Sequence, residues 1–151
     1  RAEFQLIGAS RNATAEKLAF AMGELGCRRA LVVCGNDELD EVSLWGETRV
    51  FTVAGGRIET GTWTHDTFEL PVCRSSDIRV ESAAESAAVI RSVLDGAPGP
   101  ARNMVVANAA AAFMAAELGG DPRASARLAA DAIDSGKAAE ICRKLAEFSH
   151  R

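Results

Sequence analysis

The sequence predicts an α/β fold with a β-hairpin in its first half and a helical second half. Three observations carry that prediction. A helix-period segment is followed after a short Gly26-Cys-Arg turn by the apolar run Arg29 to Val33, which is half of a βαβ unit. Two alternating segments then flank Gly55-Gly56, a strong hairpin signal. From Ser82 onward every apolar pattern has helical spacing.

The elements follow in order. Phe4-Gln-Leu-Ile7 is a short apolar run at the start of the chain. Ala15, Leu18, Ala19, Met22 and Leu25 recur on one helical face, with Asn12 or Thr14 as the cap and Gly26 as the stop. Arg29 to Val33 reads as a buried strand. Glu47 to Val53 and Arg57 to Trp63 are the hairpin strands. Thr64 caps a single turn holding His65 and Asp66, and a polar loop runs through Ser75-Ser76-Asp77.

The spacing then predicts a helix over Ser82 to Leu94, with Ala83, Ala87, Ile90 and Leu94 on one face. A long helix over Ala101 to Leu118 is apolar on most sides through Val105, Val106, Ala109, Ala112, Phe113 and Ala116, which places it in the domain centre. Asp121-Pro122 is an N-cap and first-position pair, opening a helix that runs to Ser135 and stops at Gly136. Ala138, Ile141, Leu145 and Phe148 form the last amphipathic face.

The 151 residues suffice for one domain with a real core, and no linker or internal repeat divides them. No apolar run approaches the length of a membrane span. The formal net charge of −4 disfavours a broad binder of phosphate backbone, and no aromatic-basic interleaving suggests nucleic-acid stacking. Trp45 and Trp63 read as packing residues. Cys27, Cys34, Cys73 and Cys142 form no Cys-x-x-Cys pair, and with only His65 and His150 no zinc spacing arises. Four reduced thiols in a cytoplasmic protein is the plain reading. The chain begins at Arg1 without an initiator Met, and the expectation is a piece of a longer protein.

The chemistry-bearing stretch is Leu31-Val-Val-Cys-Gly-Asn-Asp-Glu-Leu-Asp-Glu-Val-Ser43. A buried strand ends at Gly35 and delivers Asp37, Glu38, Asp40 and Glu41 to one edge of a sheet. Ligands of open α/β folds sit at that edge. Adjacent carboxylates on a loop suit Mg²⁺, which takes hard oxygen ligands and retains water and substrate phosphate oxygens.

These residues also carry a resemblance. Val32-Val33, Gly35 and Leu39-Asp40-Glu41-Val42-Ser43 resemble the Asp-Glu metal loop of the anthranilate phosphoribosyltransferases. Gly96-Ala-Pro-Gly-Pro100 resembles the turn after that family's long helix. Asn108-Ala-Ala-Ala-Ala112 resembles its helical alanine signature, and Ala132-Ile-Asp-Ser-Gly-Lys-Ala138 its closing helix–turn–helix. The resemblance covers nearly the whole chain but only the C-terminal part of the family's length.

The resemblance implies residues 1–151 as part of the large α/β catalytic domain of a nucleoside phosphorylase/phosphoribosyltransferase-type fold, without its upstream half or its helical dimerisation domain. It implies a homodimeric, cytoplasmic, Mg²⁺-dependent enzyme of tryptophan biosynthesis, joining anthranilate to phosphoribosyl pyrophosphate with release of pyrophosphate. Asp40 and Glu41 would hold the Mg²⁺. The glycine-rich pyrophosphate loop and the anthranilate-contacting residues would lie upstream, so this chain alone would be inactive.

Two departures stand out. Glu38 replaces a common glycine, adding charge that either hinders phosphate approach or points to solvent. Cys34 replaces a common histidine and reads as core, since no basic partner is nearby to make it a reactive thiol. Asn108, inside an apolar helix, is expected to bond backbone or a neighbouring loop. Ser135-Gly136-Lys137 reads as a helix stop and start, and His65 has no assigned role. Two other functions remain open: a related transferase or nucleoside phosphorylase with another acceptor, and a non-enzymatic paralogue that binds nucleic acid.

Overall fold

The computed structural model describes residues 2–149. Arg1 and His150, both read in the sequence, lie outside the described residues. The order is β1 (Phe4–Gly8), α1 (Asn12–Glu24), β2 (Arg29–Gly35), β3 (Thr48–Ala54), β4 (Arg57–Trp63), α2 (Ala83–Leu94), α3 (Pro100–Ala115), α4 (Pro122–Asp134) and α5 (Lys137–Ser149), with 3-10 turns at His65–Phe68 and Ser75–Ile78. The four strands form one sheet in sequence order. β1 and β2 are parallel, with Gly8 opposite Val33, and β2–β3 and β3–β4 are antiparallel.

β2 is covered on both faces, which is why it is apolar without alternation, while β4 at the edge of the sheet is exposed along most of its length. Leu31, Val33 and Val50 point into a core shared with α3 and α4. Ala30, Val32, Cys34, Phe51 and Val53 point the other way, onto Ala15 and Ala19 of α1. Burying both sets commits β2 to the middle of the domain. Small side chains let α3 and α4 approach closely: Ala107, Ala110 and Ala111 are fully enclosed, as is Ser125 of α4. The hairpin turns at Gly55 and Gly56, both at positive φ (55° and 75°), as a two-residue turn of this twist requires. Trp63 packs edge-on against Phe68 at 5.4 Å between ring centroids.

Four details differ from the sequence reading. Neither Asn12 nor Thr14 caps α1 with its side chain. The Asp37 carboxylate accepts the Asn12 N–H instead, at 2.6 Å. The predicted face of α2 is turned outward at Ile90, which is 54% exposed, while Val93 is buried. α3 stops at Ala115 and not at Leu118. Glu117 takes the left-handed conformation at φ 60°, and the N–H groups of Glu117 and Leu118 close onto the carbonyls of Met114 and Phe113. That is a Schellman stop on a non-glycine residue, so no glycine marks it. α3 is also not enclosed all round, since Val105 is 45% exposed. Ile141, Leu145 and Phe148 do share a face of α5, and that face is open to solvent.

Candidate metal and phosphate site

The acidic loop is fixed at three points. Gly35 and Leu39 exchange backbone hydrogen bonds, each at 2.8 Å, which closes the loop directly after β2. Inside it Asn36 and Asp37 both lie at positive φ (53° and 56°), a conformation that Asn and Asp tolerate better than other side-chain-bearing residues. Asp37 ties this turn to the start of α1: its carboxylate takes the Asn12 N–H, and its carbonyl accepts from Arg11 Nη1 at 2.5 Å.

Beyond Glu41 the chain re-enters the core, and Val42, Ser43 and Leu44 are all 0% exposed. Asn108 of α3 holds this re-entry. Its Oδ1 accepts the Val42 N–H at 2.8 Å, and its Nδ2 donates to the carbonyls of Val42 (3.3 Å) and Met104 (3.0 Å). The Ser43 N–H donates to Thr48 Oγ1 at 2.8 Å. Asn108 therefore bonds a neighbouring loop, as expected of a half-buried amide in an apolar helix.

Gly8 sets the other wall. A Cβ there would stand 1.6 Å from the Asp40 carbonyl oxygen, so the loop can lie against the end of β1 only because this residue has no side chain. The result is an open cleft of about 500 Å³ at the carboxyl ends of the parallel strands β1 and β2. Its lining includes Leu6, Gly8, Val33, Asp40, Glu41 and Asn108. Asp40 and Glu41 are brought together on its rim, both exposed. Asp37 and Glu38 are not part of the lining. Asp37 serves α1, and Glu38 is exposed outside the cleft, so its extra charge faces solvent.

Among the described residues no ion pair engages Asp40 or Glu41, and no group of three His, Cys, Asp or Glu side chains could hold a metal. Two free hard-oxygen donors on an open rim fit Mg²⁺ that keeps other positions for water and a ligand's phosphate oxygens. They do not fit an all-protein cage.

The remaining candidates fall into place as structure. Cys34 is 1% exposed, and burial, with the nearby Asp37 charge, pushes its thiol pKa up; burial does the same to Cys73. Cys27 is buried, Cys142 is exposed, and all four thiols are free. His65 Nδ1 lies 3.1 Å from the Leu70 carbonyl. Ser135 ends α4, Gly136 turns at φ 75°, and α5 starts at Lys137. The sequence reading missed Gly8. Its only signal was position, directly after the first apolar run.

The model of the glycosyl transferase family, a/b domain, matches residues 1–139. The chain belongs to that family. Curated relatives of the family name the reaction of their own proteins. The anthranilate phosphoribosyltransferase of Geobacter sulfurreducens is 40% identical over 91% of this chain and 39% of that protein. The enzyme of the same name from Thioalkalivibrio sulfidiphilus is 41% identical over 96% of this chain and 43% of that protein. The chain thus spans about two fifths of the length of these relatives. The crystal structure of the anthranilate phosphoribosyltransferase of Thermus thermophilus superposes with a TM-score of 0.85 at 28% identity, covering 95% of this chain and 42% of that one. The Saccharomyces cerevisiae enzyme, solved in complex with PRPP and Mg, has the same fold (TM-score 0.81, 21% identity, 91% of this chain and 40% of that one). The resemblance to the anthranilate phosphoribosyltransferases read in the sequence is thereby confirmed, as is the α/β fold with a helical C-terminal half.

Proposed function

We propose that residues 1–151 are part of the α/β catalytic domain of an anthranilate phosphoribosyltransferase, with Asp40 and Glu41 as its Mg²⁺ ligands. The observation that carries this reading is the pairing of two unengaged carboxylates on the rim of a cleft at the carboxyl ends of β1 and β2, the ligand-binding edge of an open α/β sheet. The similarity to enzymes of that name supports the choice of reaction.

In the reaction, the bond from the anomeric carbon of phosphoribosyl pyrophosphate to the pyrophosphate oxygen breaks, and its electron pair leaves with pyrophosphate. The anthranilate amine forms the new C–N bond and gives up a proton. Asp40 and Glu41 would hold a Mg²⁺, which would supply neutralisation of the charge that builds on pyrophosphate. Asp40 and Glu41 bind and orient that assembly. Gly8 and Asn108 fix where the two carboxylates stand, and Leu6 and Val33 form the apolar back of the cleft. Positioning of this kind lets a weak amine react without a strong base.

The same reading makes the whole protein a homodimer that works in the cytoplasm in tryptophan biosynthesis. In line with it, no helix among the described residues is long and apolar enough to cross a membrane. The test is a substrate panel on the whole protein that carries this chain. Phosphoribosylation of anthranilate with stoichiometric pyrophosphate is the expected result. Transfer to another acceptor only, or nucleoside phosphorolysis, would point to a different branch of the family. Salt-sensitive binding of single-stranded DNA without turnover would point to a nucleic-acid-binding paralogue.

A further inference from the structure

A second cleft, of about 280 Å³, lies between α3, α4 and the 3-10 turn that ends at Phe68. It shares no lining residue with the Asp40–Glu41 cleft. Its polar wall carries three arginines, Arg102, Arg123 and Arg127, and its floor is Phe68, Leu70 and Val106.

The three cations are unevenly paired. The Arg102 side chain is only 14% exposed, with Nη2 on Asp134 Oδ2 at 2.9 Å. Its Nη1 is buried and has no acceptor among the described residues. Arg123 Nη1 reaches Glu69 Oε1 at 2.8 Å across the mouth of the cleft. Arg127 is exposed and has no carboxylate partner among the described residues. Arg123 and Arg127 are four residues apart on α4, where like charges repel. A buried guanidinium N–H without an acceptor is costly as well. Three guanidinium groups against two carboxylates leave an uncompensated positive charge beside an apolar floor.

We propose that this cleft binds a phosphate monoester, its phosphoryl oxygens on the exposed Arg123 and Arg127 with the Arg102 charge behind them, and its organic part on Phe68, Leu70 and Val106. Two exposed guanidinium forks backed by a third positive charge suit a doubly charged phosphoryl group better than a singly charged carboxylate, because each planar fork donates in a fixed direction. Glu69 competes with the ligand for Arg123, so the site carries its own internal rival. None of this depends on the phosphoribosyl transfer reading.

The experiment is calorimetric titration of the protein with phenyl phosphate and, separately, with inorganic phosphate at fixed low chloride. Saturable binding is expected, tighter for phenyl phosphate. Arg127→Gln should weaken it about tenfold, the loss of one charge-assisted contact. Glu69→Gln should strengthen it, a change of opposite sign that general damage to the fold does not produce. Both side chains are exposed, and unchanged melting temperatures without ligand confirm intact folds. No saturable binding, equal affinity for the two probes, or an affinity indifferent to both substitutions overturns the proposal.

Discussion

Asn108 holds Val42 by both of its backbone groups, accepting its N–H at 2.8 Å and donating to its carbonyl at 3.3 Å, across 66 positions of sequence. One amide thus anchors the residue directly after the Asp40–Glu41 pair to the helix that forms the far wall of the cleft. Asn108→Ala leaves both groups of a fully buried residue without partners. A loss of about 3 kcal/mol is expected, since each unsatisfied group costs roughly 1–3 kcal/mol. Urea unfolding measures it. Asn108→Asp keeps the acceptor but turns a second oxygen onto the Val42 and Met104 carbonyls, so it should not recover the loss.

Gly8→Ala places a methyl group where the Asp40 carbonyl now stands. The obstacle is backbone, so the acidic loop must move. A stability loss of about 1–3 kcal/mol, the usual range for forced overpacking, should accompany a displaced Asp40. Thermal melts give the first quantity, and weaker Mg²⁺ dependence of turnover reports the second. Unchanged values for both would show that the loop does not rest on β1.

Asp37 has a structural task despite its place in the acidic run. Asp37→Ala removes the cap on α1 and puts alanine at positive φ, with an expected total cost of about 2 kcal/mol. Asp37→Gly removes the cap but relieves the backbone strain, so it should cost less. Equal losses in the two variants would mean that strain contributes nothing.

The thiols should separate by burial. Cys142 is exposed and should be alkylated first in the folded protein, while Cys34 and Cys73 react only on unfolding. Burial raises the pKa of Cys34 and Cys73 above the ordinary thiol range. Their protons are then held more tightly folded than unfolded. Stability is untouched at neutral pH and falls as pH rises through the unfolded thiol value, because the unfolded chain releases protons that the folded one keeps. Mass spectrometry after timed alkylation, with unfolding curves at neutral and alkaline pH, checks both statements.

Local chemistry made much of this fold legible. Gly55-Gly56 allowed one turn geometry, and Asp121-Pro122 marked the start of α4. Leu31 to Cys34 announced a strand covered on both sides, and the carboxylates at its end announced the cleft. Stops without glycine were not legible, as Glu117 shows. Nor were partnerships across the chain. Asp37 caps a helix 25 positions upstream in place of the local candidates. α2 and α5 show the limit of periodicity, which groups Ile90 or Ile141 onto a face but does not say whether anything covers it.

The central claim is that Asp40 and Glu41 hold Mg²⁺ for phosphoribosyl transfer. The most direct measurement is the Mg²⁺ dependence of phosphoribosylanthranilate formation by the enzyme carrying this chain, compared with its Asp40→Asn and Glu41→Gln variants. Both side chains are exposed and unpaired among the described residues, so the fold should survive each change. The expected result is a large loss of turnover, partly restored by raised Mg²⁺, with melting temperatures unchanged. Wild-type turnover and wild-type Mg²⁺ dependence in either variant would contradict the assignment.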